Sequence, residues 1–212
     1  MNIYTRIGLH LTAAFFVLSA TVPAGGADIR GRELFGIRIG GVIGSSMLDN
    51  SFGKGTEIEL HFIEGLGSWY GVAVAVSSHN FGDSKNRERN IEFTGLDRAV
   101  EMQIYSGTVA FFTVGSLGRN LSVTGEAGFG LYSITAIIEA GIYEGHLTDN
   151  QFGMYTGVGF LYQLTQRLSL NASGKLHYIL SGDDDRHAMY FYTGEERTRI
   201  YQITVGVTIF TG

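Results

Sequence analysis

The 212-residue sequence contains no cysteine and a single proline. Without cysteine there can be no disulfide, no thiolate metal site and no lipidated cysteine anchor. Positive charge is also scarce: 15 Lys and Arg stand against 20 Asp and Glu, a formal net charge of −5. With no basic patch to neutralise phosphates, nucleic acid is not an expected partner. Beyond the first 27 residues no run is apolar enough for a transmembrane helix, which needs roughly 20 such residues. What the chain does have is glycine, 31 residues of it, beside 12% aromatics. Disordered chains carry glycine and proline together and few aromatics. Glycine without proline suits long paired strands, because proline removes a ladder donor.

Arg6 followed by the apolar run from Leu11 to Val22, and then by Ala24, Gly25, Gly26 and Ala27, reads as an export signal. Residues 1–27 are therefore expected to be a signal peptide cut after Ala24 or Ala27. Residues 28–212 then have the length of one domain.

Side chains alternate with a period of two along most of that domain, the signature of strands. The last stretch is the clearest: Tyr201, Ile203, Val205, Val207 and Ile209 share one face, and Gln202, Thr204, Gly206 and Thr208 the other. Eight such segments are expected, over about 35–47, 56–63, 69–78, 100–114, 120–134, 152–164, 168–180 and 199–210. In the second, Ile58, Leu60 and Phe62 oppose Glu57, Glu59 and His61. A face with several charges meets water or a paired polar interior, not an apolar core. In the fourth, Met102, Ile104, Ala110, Phe112 and Val114 are read as the apolar face, opposite Glu101, Gln103 and Tyr105. Aromatics gather near strand ends, with Phe35, Phe62, Trp69, Tyr70, Phe112, Tyr162 and Phe210 at one end and Tyr178 towards the other. Interfacial girdles have that placement.

Connections alternate between short (64–68, 115–119, 165–167) and long (79–99, 135–151, 181–198). A sheet can cross hydrocarbon only if it closes, since every backbone polar group must be paired. The expected fold is therefore all-β, an eight-stranded antiparallel up-and-down transmembrane β-barrel. Its short turns and both termini are expected in the periplasm of a bacterium, with the long loops outside.

On these grounds the chain resembles the small eight-stranded outer-membrane barrel proteins: the barrel domain of outer-membrane protein A, the X- and W-type proteins and the opacity-type surface antigens. The resemblance covers about residues 35 to 210 and is most evident from Phe152 to Leu170. It implies a surface or structural role, with lipopolysaccharide and a host or surface ligand as partners of the loops. It also implies recognition of the C-terminal strand by the barrel-assembly machinery. Group members usually end on an aromatic residue; here Thr211 and Gly212 follow Phe210. Two other roles that the group displays are a narrow passage for ions or hydrophobic compounds and modification of lipid A.

The residues expected to line the lumen are Arg38, Glu57, Glu59, His61, Glu101, Glu126, Lys175 and His177. Eight strands leave an interior just wide enough for side chains to fill, so these charges must pair as a plug or as a gate. Two Ser/His arrangements meet part of what a nucleophile needs, Ser77-Ser78-His79 and His177 with Ser181 and Asp183. The second places its Ser about 13 Å from its His along a strand. Neither matches a recognisable enzyme motif, and no catalytic role is expected. Asp183-Asp184-Asp185 lacks the spaced ligands of a calcium loop. No metal or cofactor is expected. The exposed aromatics Tyr190, Phe191 and Tyr192 form the candidate contact patch of the last long loop.

Overall fold

Each alternating segment becomes a strand, and each strand pairs antiparallel with both of its neighbours in sequence. In the computed structural model, which describes residues 28–44, 54–83, 98–140, 143–180 and 197–211, these are β1 (Glu33–Gly44), β2 (Lys54–Gly65), β3 (Tyr70–Asp83), β4 (Arg98–Ser116), β5 (Leu121–Ala140), β6 (Tyr143–Gln163), β7 (Leu168–Leu180) and β8 (Arg197–Thr211). The sheet closes into a barrel in the order β1 to β8, with β1 pairing β8 from Glu33↔Thr211 to Gly44↔Ile200. Residues 1–27, Ser181, Asp183 to Asp185, Tyr190, Phe191 and Tyr192 lie outside the described residues.

One end of the barrel, the turn end, carries both strand termini and three turns of one kind. Leu66 and Gly67 donate to the Tyr70 carbonyl, Leu117 and Gly118 to that of Leu121, and Leu164 and Thr165 to that of Leu168. The Thr165 hydroxyl also accepts from the Arg167 and Leu168 amides, at 3.2 and 3.1 Å. The segment before β1 folds back under this end. Its Gly31 adopts φ +67°, its amide bonds the Gly65 carbonyl at 2.8 Å, and Ile29 is buried beneath the lumen.

The opposite, loop end differs from expectation. Residues 135–151, read as a loop, are almost wholly strand. β5 and β6 continue paired from Thr135↔Thr148 to Ala140↔Tyr143 as a hairpin, beyond the Phe152↔Leu180 pair of β6 with β7. β4 extends beside them to Arg98↔Ala140. Between Asn80 and Asp83, β3 carries a register shift against β4, and the buried Phe81 lies within that stretch.

β4 also corrects the assignment of its own faces. Met102, Ile104, Ala110, Phe112 and Val114 are buried inside the barrel, and Tyr105, Val109 and Phe111 point out. The segment Val109-Ala110-Phe111-Phe112 is apolar on both faces, so alternation could not choose between them. Glu101 therefore does not line the lumen. It is half-buried on the outer face. Phe112 leaves the expected girdle for the interior, and Phe111 takes its place, stacked 6.0 Å from Tyr70. Phe210 likewise turns inward, against the apolar cluster at the turn end.

Candidate functional site

The lumen is stratified along the barrel axis. At the turn end Ile29, Leu34, Ile63, Ala73, Ala110 and Phe112 form one apolar cluster. At the loop end Val42, Phe81, Met102, Ile104, Ile134 and Ile179 belong to another. Among the described residues, the fully buried charges lie in the layer between them, where the register brings together bases and acids that are distant in sequence.

The centre of that layer is a tetrad. Arg38 Nη1 lies 2.8 Å from Glu59 Oε1 and 3.2 Å from Glu126 Oε1. Lys175 Nζ lies 2.6 Å from Glu59 Oε2 and 3.0 Å from Glu126 Oε2. Each acid thus bridges both bases, and each base both acids, with all four side chains buried. Two positive and two negative charges cancel, which is the condition for burying them at all. The Tyr155 hydroxyl adds a 3.4 Å hydrogen bond to Glu126 Oε2, and Lys175 sits over the Tyr155 ring at 5.2 Å.

Glycine makes room for this crowd. Gly157 stands opposite both Glu126 and Lys175, and a Cβ there would lie 2.9 Å from Lys175 Cγ. Gly36 stands opposite His61, whose ring a Cβ would strike. The high glycine content thus serves the lumen as well as the strands.

On the loop side of the tetrad runs a second polar tier. Glu57 and His79 are cross-strand partners, with His79 Nδ1 3.6 Å from Glu57 Oε2. Ser77 Oγ is 2.9 Å from His79 Nε2 and 2.7 Å from Ser106 Oγ. Across the barrel Tyr132 and Gln202 flank His177, at 2.8 Å from its Nδ1 and 2.6 Å from its Nε2. The Gln202 Oε1 atom can only accept, so His177 donates from Nε2, and in the neutral ring Nδ1 then accepts the tyrosine proton. On the turn side His61 lies 3.3 Å from Thr208 Oγ1, which also accepts from Asn171 at 2.7 Å.

Seven of the eight residues expected in the lumen are thus buried in this layer, and Glu101 is not. Tyr155, Ser106 and Tyr132 were not read from the sequence as partners of this layer, whereas His79 was paired only with Ser77. Tyr155 is a large side chain on a face otherwise occupied by Gly153, Gly157 and Gly159, an anomaly that was a usable signal. Ser106, Tyr132 and the contact of His79 with Glu57 arise only through register.

Ser77, His79 and Glu57 stand in the order of a hydrolase triad. Two features of its surroundings bear on that likeness. His79 is fully buried. The backbone amides around it belong to the β2–β3 and β3–β4 ladders, which removes the usual source of oxyanion donors.

The exterior is the inverse of the lumen. Ile37, Ile39, Leu60, Val76, Phe129, Leu131, Ile203 and Val205 belong to an exposed apolar coat, with Ile203 70% and Leu131 67% accessible. Coats of that extent are foreign to soluble monomers and are what a bilayer-spanning barrel presents to lipid. Phe35 and Phe62, 4.7 Å apart, and Trp69 and Tyr70, 5.1 Å apart, edge it at the turn end. Among the described residues no group of acidic, His or Cys side chains is arranged to hold a metal ion.

A closed, all-antiparallel, eight-stranded up-and-down sheet with lipid-type residues outside and ion pairs inside is the fold of the small outer-membrane β-barrels. Solved structures of that class superimpose on it. A major outer membrane protein from Thermus thermophilus matches with a TM-score of 0.59 at 14% identity, over 84% of this chain and 99% of that one. Ail, the attachment invasion locus protein of Yersinia pestis, matches at 0.53 and 13% identity, over 86% and 99%. Neisserial surface protein A matches at 0.52 and 14% identity, over 84% and 96%. At such identities the likeness is one of fold. No family model matches the chain, and no curated protein sequence does.

Proposed function

We propose that the chain is a bacterial outer-membrane protein whose barrel is a sealed, non-catalytic scaffold. In this reading both termini face the periplasm, and the loop end meets lipopolysaccharide and other surface molecules. One observation carries it: the ionic tetrad fills the mid-lumen, and apolar clusters close the barrel on both sides of it. A conduit would require breaking the tetrad and parting two hydrophobic layers. The β5–β6 hairpin gives the loop end a strand-paired surface, and loops held on a scaffold are the usual carriers of binding. Attachment and invasion are named for the Yersinia protein of like fold, and a surface role of that general kind fits this exterior.

The signal peptide over 1–27 and recognition of β8 by the assembly machinery belong to the same reading. Recording from the purified barrel in planar bilayers tests the sealed lumen. Silence is expected, and reproducible single-channel steps that change in Arg38→Ala or Lys175→Ala would replace the scaffold by a pore. Mass spectra of lipid A from cells with and without the protein should coincide. A mass difference abolished by Ser77→Ala would make it an enzyme.

A further inference from the structure

The charged side chains buried in the lumen, among the described residues, do not sum to zero unless a histidine or a carboxyl contributes. Arg38 and Lys175 stand against Glu57, Glu59 and Glu126. The tetrad uses both bases to neutralise Glu59 and Glu126, which leaves Glu57 as a fifth, unmatched charge. It is 2% exposed, and neither of its oxygens makes a hydrogen bond that satisfies ordinary geometry. An isolated ionised carboxylate buried in this way is costly enough that a neutralising partner is required.

The geometry identifies that partner by elimination. His177 is hydrogen-bonded at both nitrogens, to Tyr132 and to Gln202, and neither partner is a carboxylate. His61 faces Glu59 at 3.8 Å, but Glu59 already holds Arg38 and Lys175. His79 is left. Its Nε2 pairs with Ser77, while its Nδ1 has no hydrogen bond and points across 3.6 Å at Glu57. The other groups acting on Glu57 are Arg38 of β1, Glu59 of β2, Lys175 of β7 and the Gln202 amide of β8; His177 faces His79. The outer neighbours at this level are mixed, Thr56, Ser78 and Asn80 being polar and Ile58 apolar and exposed.

We infer that the folded barrel binds one proton between Glu57 and His79, and that this proton is the missing counter-charge of the lumen. Whether it rests on the carboxyl or on the imidazole, the pair is neutral. Losing it leaves a net negative lumen, and adding a second leaves a positive one. Both changes charge a sealed, low-dielectric space.

Proton linkage gives this a defined signature. In the unfolded chain a glutamate releases its proton near about pH 4.3 and a histidine near about pH 6.5. Between those values folded and unfolded states each hold one proton at the pair. Above about pH 6.5 the folded state holds one more, so its unfolding constant rises tenfold for each pH unit until the folded pair also releases. Below about pH 4.3 the unfolded state holds two, and stability falls again.

The test is urea unfolding in detergent micelles from pH 7 to 9, comparing wild type with Glu57→Gln. Wild type should lose up to tenfold per pH unit more than the variant, whose pair is neutral without the proton, and Ser77→Ala should keep the wild-type dependence. Equal dependence in wild type and Glu57→Gln overturns the inference. Should Glu57→Gln fail to fold, NMR of the wild-type barrel at pH 7.5, with labelled histidine nitrogens and glutamate carboxyls, decides the matter. An imidazolium at His79 or a protonated carboxyl at Glu57 is expected. A neutral imidazole beside an ionised carboxylate refutes it.

Discussion

The membrane-facing part of this barrel and the part that rises beyond it use the same strands with opposite chemistry. Along the lower part, Val109, Phe111, Phe129 and Met154 face outward, while Glu126, Lys175 and Arg38 lie within. Further along β4, β5 and β6 most outer positions become polar, as at Gln103, Glu101, Thr135, Asn150 and Thr148, and most inner ones apolar, as at Met102, Ile104, Ile134, Ala136 and Leu147, with Ile137 outside and Asp149 inside as exceptions. The strands and their pairing continue without interruption. What changes is the medium outside. In lipid the outer face must be apolar and the interior can hold balanced charge. In water the extension needs an apolar interior of its own, as any soluble sheet does.

Substitutions in the two parts test this contrast. Lys175→Ala should have the largest effect, because it leaves Glu59 and Glu126 with one base between them. A loss of about 3–5 kcal/mol is expected from urea unfolding in micelles. An undiminished midpoint would mean that the tetrad is not coupled as its geometry suggests. Ile134→Ala, in the inner face of the projecting part, should cost about 2–5 kcal/mol if that part has a packed core. A change near zero would reduce the extension to a surface hairpin without one.

Next in size is a pair of charges placed on outer faces. Ile203→Arg, on the most exposed position of the coat, should lose about 2–4 kcal/mol when unfolding is followed from bilayers. Thr148→Arg, on the outer face of the hairpin, should stay within about 0.5 kcal/mol of wild type. Equal penalties would mean that the boundary has been misplaced. The smallest effect belongs to Glu101→Gln, which should leave stability within about 0.5 kcal/mol, as an outer residue beyond the lipid would. A penalty of several kcal/mol would return Glu101 to the lumen.

Glu101 also marks how far residue pattern reaches. Alternation located every strand to within a few residues except where the extension lengthened β3 to β6. It separated the faces correctly in β2, β5, β7 and β8, where charges or hydroxyls mark one side. It failed in β4, because the inner face is apolar there and the outer one partly polar. A period of two separates two faces, but it does not say which medium each face meets. The long polar stretch 135–151 read as a loop for a related reason: a strand that leaves the membrane alternates as a soluble strand does and stops resembling its own lower half.

The sequence alone determined the number of strands, the short turns and the need for closure, because these depend on neighbours within a few residues. The tertiary structure decided what meets across the lumen. Lys175 and Glu59 are 116 residues apart, and Arg38 and Glu126 are 88 apart. Their meeting depends on register around the whole barrel, as does that of Glu57 with His79. A one-residue slip would turn any of them outward, and no local pattern fixes that sum.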